Sequence, residues 1–154
     1  MENTDTFFKA IRNGDHAAVQ KMLIVKPDLV NAKDERGSTP LILATYYDQE
    51  EIADLLLNCG AKIDDADASG NTALMGVCFK GFAALAKNLI ERGSNVNQRN
   101  AMGASCLIYA ATFNRLEIAK LLIAKGADPS AKDSRGNTAL DHAKMQGVSE
   151  LIRF

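Results

Sequence analysis

Histidine is nearly missing from this 154-residue chain, which holds only His16 and His142, and cysteine is limited to Cys59, Cys78 and Cys106. An odd cysteine count without a Cys-x-x-Cys pair argues against a disulfide framework or a zinc site. Reduced, mostly buried thiols packing as small hydrophobes are expected instead. No apolar run approaches the roughly 18–20 residues of a membrane-spanning helix. The opening segment, MENTDTFFKA, lacks the basic stretch and apolar core of a secretory signal, so a cytoplasmic location is expected. HExxH, GxSxG and P-loop patterns are absent, and no cysteine has a histidine close by in sequence. These absences predict a protein that is not an enzyme and uses no cofactor or metal.

One-signed charge is also scarce, with a net charge of −1 overall. The distribution is uneven: residues 34–66 carry eight acids against two bases, a net of −6, whereas 67–99 and 100–132 each carry four bases against two acids, a net of +2. A dense basic patch, which phosphate-backbone binding requires, is not among these segments. Nucleic acid and membrane are therefore not expected partners. The carboxylates Asp48, Glu50, Glu51 and Asp54 cluster, but without the alternating ligands and central glycine of a calcium loop. Capping and solvating a helix start is the expected task for them.

What the chain has in place of motifs is a period. Gly37, Gly70, Gly103 and Gly136 stand 33 residues apart, as do Gly60, Gly93 and Gly126, and Leu41, Leu74, Leu107 and Leu140. Such a repeat means one small unit stacked on copies of itself. The units run 1–33, 34–66, 67–99, 100–132 and a shortened 133–154. At roughly 10 Å per helix layer, His16 and His142 then lie too far apart to share a site.

In the second unit Gly37 sits in a polar turn, Thr39 is placed to cap a helix with Pro40 at its first position, and Asp48 and Gln49 break that helix. A second helix starts near Glu50, with Ile52, Leu55 and Leu56 as its apolar stripe, and Gly60 ends it. Each unit reads as turn, helix, tight loop and antiparallel helix.

The segments DERGSTPLILA, DASGNTALMGV, NAMGASCLIYA and DSRGNTALDHA, with IADLLLNCGAKID, LAKNLIERGSNVN and IAKLLIAKGADPS, resemble the opening and close of an ankyrin repeat. The resemblance covers essentially the whole chain and implies an all-α solenoid with projecting turns, or fingers. The first unit is the most diverged and carries one extra residue at PDLVN, which suits an N-terminal cap. The last stops at Phe154 before its second helix would be complete, which suits a C-terminal cap. The family's Thr-Pro-Leu-His appears without its histidine in every unit, the position being held by Ile42, Met75, Ile108 and Asp141. The hydrogen bonds made by that histidine must be lost or replaced.

The resemblance also implies a concave binding surface built from fingers and first helices. Carried over by position, the candidate partner-binding residues are Arg36, Tyr46, Tyr47, Phe79, Lys80, Arg99, Met102, Phe113, Arg135 and Met145. Tyr46, Phe79 and Met145 share one repeat position, and Tyr47 and Phe113 the next. With aromatics only 6% of the chain, this is a local concentration at positions that vary between ankyrin proteins. Some of these rings could instead tuck between helices and serve packing. The expected function is non-catalytic protein–protein interaction, as scaffold or adaptor, with an aromatic groove holding the partner and an arginine rim selecting an acidic segment. The alternative is a regulatory subunit or inhibitor that covers the active site of one enzyme. A monomer is expected, a homodimer through the aromatic face being the other arrangement considered.

Overall fold

A computed structural model describes residues 2–147, with side chains described from Thr4 onward; of the expected C-terminal capping unit 133–154, residues 148–154 lie outside these residues. The described residues form helix pairs α1 (Glu2–Arg12) and α2 (His16–Val25), α3 (Pro40–Tyr46) and α4 (Glu50–Asn58), α5 (Ala73–Lys80) and α6 (Ala83–Glu91), and α7 (Cys106–Thr112) and α8 (Leu116–Ala124), then α9 (Ala139–Met145). The extra residue of the first unit is taken up in a 3-10 turn over Pro27–Asn31.

The odd-numbered helices make one inner row, α1, α3, α5, α7 and α9, each packing on the next; α2, α4, α6 and α8 form the outer row. Their starts follow from short hydroxyl residues. Thr39, Thr72, Ser105 and Thr138 are extended, and each accepts from the amide three residues on, at Ile42, Met75, Ile108 and Asp141. The residue type at those four positions is thus free to change, because the bond uses its backbone. Asp141 adds a reciprocal bond, its carboxylate accepting from the Thr138 N–H at 2.9 Å.

The tight loops between paired helices need a left-handed residue. Asp48 and Asn114 take it with φ 56°, and Gly81 with φ 82°. The core is continuous along the stack and nearly all aliphatic. Leu41, Leu74 and Leu107 are fully buried between inner and outer rows, beside Ile52, Leu85, Leu89, Ile118 and Leu122.

Two strips of hydrogen bonds lace the units together along their edges. On the finger side, Ala68 N–H donates to the Arg36 carbonyl (3.1 Å), Ala101 to Ser69 (3.0 Å) and Ser134 to Met102 (2.9 Å). On the loops after the outer helices, the Asn31 side chain accepts from Lys62 N–H (3.1 Å), Asp64 from Asn95 (2.9 Å) and Asn97 from Asp128 (2.8 Å). Neighbouring units therefore hold one register by backbone contacts as well as by packing.

Candidate binding surface

The inner row ends in a run of rings. Tyr46 and Tyr47 meet edge to face at 5.7 Å between centroids, and Phe79 meets Phe113 the same way at 4.8 Å. Lys80 bridges the two pairs by sequence and by space: it follows Phe79, and its Nζ lies 4.7 Å above the Tyr46 ring and 5.8 Å from that of Phe82. The rings do not disappear between helices. Tyr46, Tyr47, Phe79 and Phe113 each keep 39–46% of their surface exposed.

A fifth ring belongs to this surface and was not among the sequence candidates. Tyr109 stacks on Phe113 at 6.4 Å, and its hydroxyl accepts from Asn100 Nδ2 at 2.9 Å. It occupies the repeat position of Leu43, Gly76 and His142, all half-buried along the floor of the inner face. That shared position was the available signal. Gly76 leaves the floor low beside Tyr46, whose ring edge would be 3.9 Å from any Cβ placed there.

Each finger is built by one side chain at its base. Asp34, Asp67, Asn100 and Asp133 each accept, through one oxygen, the amides two and four residues ahead at 2.9–3.0 Å. Arg36, Met102 and Arg135 stand on the fingertips, and Met102 and Met145 are 61% and 60% exposed, apart from the paired rings. Arg99 stands at a finger base, where its Nε donates to the Gly103 carbonyl at 3.1 Å. The candidates thus divide into a ring cluster with Lys80, a row of fingertip side chains, and Met145 on the last inner helix.

A family model described as ankyrin repeats (3 copies) matches residues 7–100 and, again, residues 74–154. The chain is an ankyrin-repeat protein. Ankyrin repeats are protein–protein interaction modules and are typically non-enzymatic. No helix among the described residues is long and apolar enough to cross a membrane.

On the outer face of this ankyrin stack, the acidic cluster ties units two and three together. Arg92 Nη2 pairs with Asp54 at 3.1 Å, its Nη1 donates to Asn58 and its Nε to Asn88, while Asn88 Nδ2 donates to Asp54 at 2.7 Å. Glu50 and Glu51 lie in the first turn of α4, where carboxylates favour the helix dipole. Of the thiols, Cys78 and Cys106 are buried as expected, whereas Cys59 is exposed, because it follows the last turn of α4 at the surface. A hydrogen bond with Cys106 and complete burial push the Cys78 thiol well above its ordinary value, so it carries no thiolate at neutral pH.

The last finger gives the ankyrin stack an acid-sensitive joint. His142 Nε2 lies 2.8 Å from Asp133 Oδ2, with both side chains largely buried. Burial alone would raise the Asp133 carboxyl. Hydrogen bonds from His142 and from the Asn137 and Arg135 amides outweigh it and hold the group below its usual value. A carboxyl lowered by folding contributes stability that is complete above its unfolded pKa, about 3.9, and lost as pH falls through the lower folded one. Below about pH 4 the wild type should therefore lose more stability than Asp133→Asn, which substitutes the residue unit four uses at Asn100. Urea midpoints between pH 6 and pH 2.5 measure this, and parallel curves for the two proteins would contradict it.

Proposed function

We propose that this ankyrin stack is a scaffold or adaptor whose inner surface over units two to four holds a segment of a partner protein. The observation that supports this most is the pairing of rings that stay in water: Tyr46 with Tyr47, and Phe79 with Phe113. Single exposed apolar residues are ordinary on any protein, whereas a contiguous cluster of them marks an interaction face. Aromatic and arginine side chains also dominate binding hot spots. The laced backbone beneath the rings needs little ordering when a partner arrives, which favours affinity.

Affinity capture from native lysate, comparing the wild type with Tyr46→Ala/Phe79→Ala/Phe113→Ala, tests this reading. The variant should keep its helical content yet recover at least about tenfold less of the partner, a loss of about 1.4 kcal/mol or more. Equal recovery by the two proteins would remove the ring cluster from the binding surface.

A further inference from the structure

We propose that the partner segment is acidic, and that Lys80 and Arg115, on the loop side of the groove, are the residues that select it. This rests on the reading that the ring cluster is the docking surface, and it moves the selecting charge away from the fingertip arginines.

The two cations are set against the aromatic patch by neutral groups alone. Lys80 Nζ is held over the Tyr46 and Phe82 rings, so its ammonium is positioned by ring faces. The Arg115 guanidinium lies across the loop of unit three, its Nη2 donating to the Phe79 carbonyl at 2.9 Å. Gly81 makes that approach possible, because a Cβ there would come within 2.8 Å of Arg115 Cζ and Nε. Arg115 Nε is buried and has no hydrogen-bond partner among the described residues. The basic side chains within 4 Å of a carboxylate among those residues are Arg92, at Asp54, and His142, at Asp133, so Lys80 and Arg115 have no carboxylate partner there. Two uncompensated cations therefore flank Phe79, whose ring is packed on Phe113.

Arg36 on a fingertip and Arg99 at a finger base are less well placed for selection. Arg36 has Glu35 beside it in sequence, and Arg99 has a guanidinium N–H engaged by the Gly103 carbonyl and the Asp128 charge nearby. On the loop side the sign changes from Asp48 in unit two to Lys80 and Arg115 in units three and four. A docked segment accordingly has a direction. Its carboxylates lie over units three and four, one apolar side chain seats against Phe79, Tyr109 and Phe113, and its less acidic end points toward unit two. Charge–charge selection of this kind sets partner choice and encounter rate more than raw affinity, and it is weakened by salt.

A library of random 12-residue peptides displayed on phage, selected on the intact chain, provides the probe. Fluorescence anisotropy then measures the recovered peptides against wild type, Lys80→Gln, Lys80→Arg and Phe79→Ala/Phe113→Ala. Selected peptides should be rich in Asp and Glu around one aromatic or aliphatic residue. Lys80→Gln should weaken them about fivefold or more while Lys80→Arg retains binding, and affinity should fall between 50 and 300 mM salt, as screening of opposite charges requires. Neutral or basic peptides that need Phe79 and Phe113 but ignore Lys80→Gln would overturn the acidic selection and leave the docking surface standing. Peptides indifferent to Phe79→Ala/Phe113→Ala, or a selection that enriches nothing, would overturn both. Equally tight, salt-sensitive binding of the single-stranded oligonucleotide dT15 at the same rings would overturn the choice of a peptide.

Discussion

Gly103→Ala should cost this protein about 3 kcal/mol, and Gly136→Ala only about 1–2 kcal/mol, although the two glycines are equivalent in the repeat. Both take a left-handed backbone, φ 73° at Gly103 and 81° at Gly136, so both variants carry the strain of forcing a Cβ into that region. Only Gly103 has a finger packed on it. A Cβ there would fall 2.9 Å from the Ser134 amide nitrogen and 3.2 Å from two further backbone atoms of Asp133. Backbone has no flexible end to swing aside, so the fingers must part and the Ser134–Met102 hydrogen bond, worth roughly 1 kcal/mol, is weakened or lost. Gly70 faces the Ala101 amide nitrogen at the same 2.9 Å and should behave as Gly103 does, whereas nothing among the described residues lies within 4 Å of a Cβ at Gly136. Urea denaturation of the three variants decides the matter, and equal losses would show that only the turn conformation matters.

The second large effect lies in the leucine ladder. Leu107→Ala should destabilise by about 3–4 kcal/mol, within the range for truncating a fully buried leucine and a large share of a typical total stability of about 5–15 kcal/mol. Leu107 is buried on α7, which packs between α5 and α9 and against α8, so three neighbours must close around any cavity. Leu140, its counterpart on α9, is only half-buried, and Leu140→Ala should cost less than half as much. Because units in a stack touch only their neighbours, the Leu107→Ala loss should fall first on units four and five. Fluorescent labels placed in unit two and in unit four would then report different midpoints. A loss below about 1 kcal/mol for Leu107→Ala would mean that the core there is far looser than its burial implies.

The repeat was legible in the sequence because it rests on residue types that local backbone geometry demands, namely glycine in the finger turns, Thr or Ser at the inner caps and leucine two residues later. At Ile42, Met75 and Ile108 the bonds of the missing histidine side chain are lost, while the cap bond to the backbone amide is kept. What could not be read depends on which unit follows. Four equivalent glycines are unequal because only some have a next finger against them. Tyr109 joins the rings through Asn100 and Phe113, partners on either side of it that the repeat position alone does not show. Arg115 sits where the neighbouring units carry Phe82 and Gln49, and its bond runs to a carbonyl, which every residue possesses and no motif reveals. The exposure of Cys59 likewise follows from the end of α4 and not from the residue type.

The finger strip has a consequence for building with this protein. Its bonds all point one way, each unit donating an amide to the carbonyl of the unit before it. The fifth finger offers the Arg135 carbonyl in the position held by Arg36, Ser69 and Met102, beside Gly136, where no described residue lies within 4 Å of an added Cβ. A further 33-residue module set beside this finger would meet that carbonyl with its own amide, as each interior unit does.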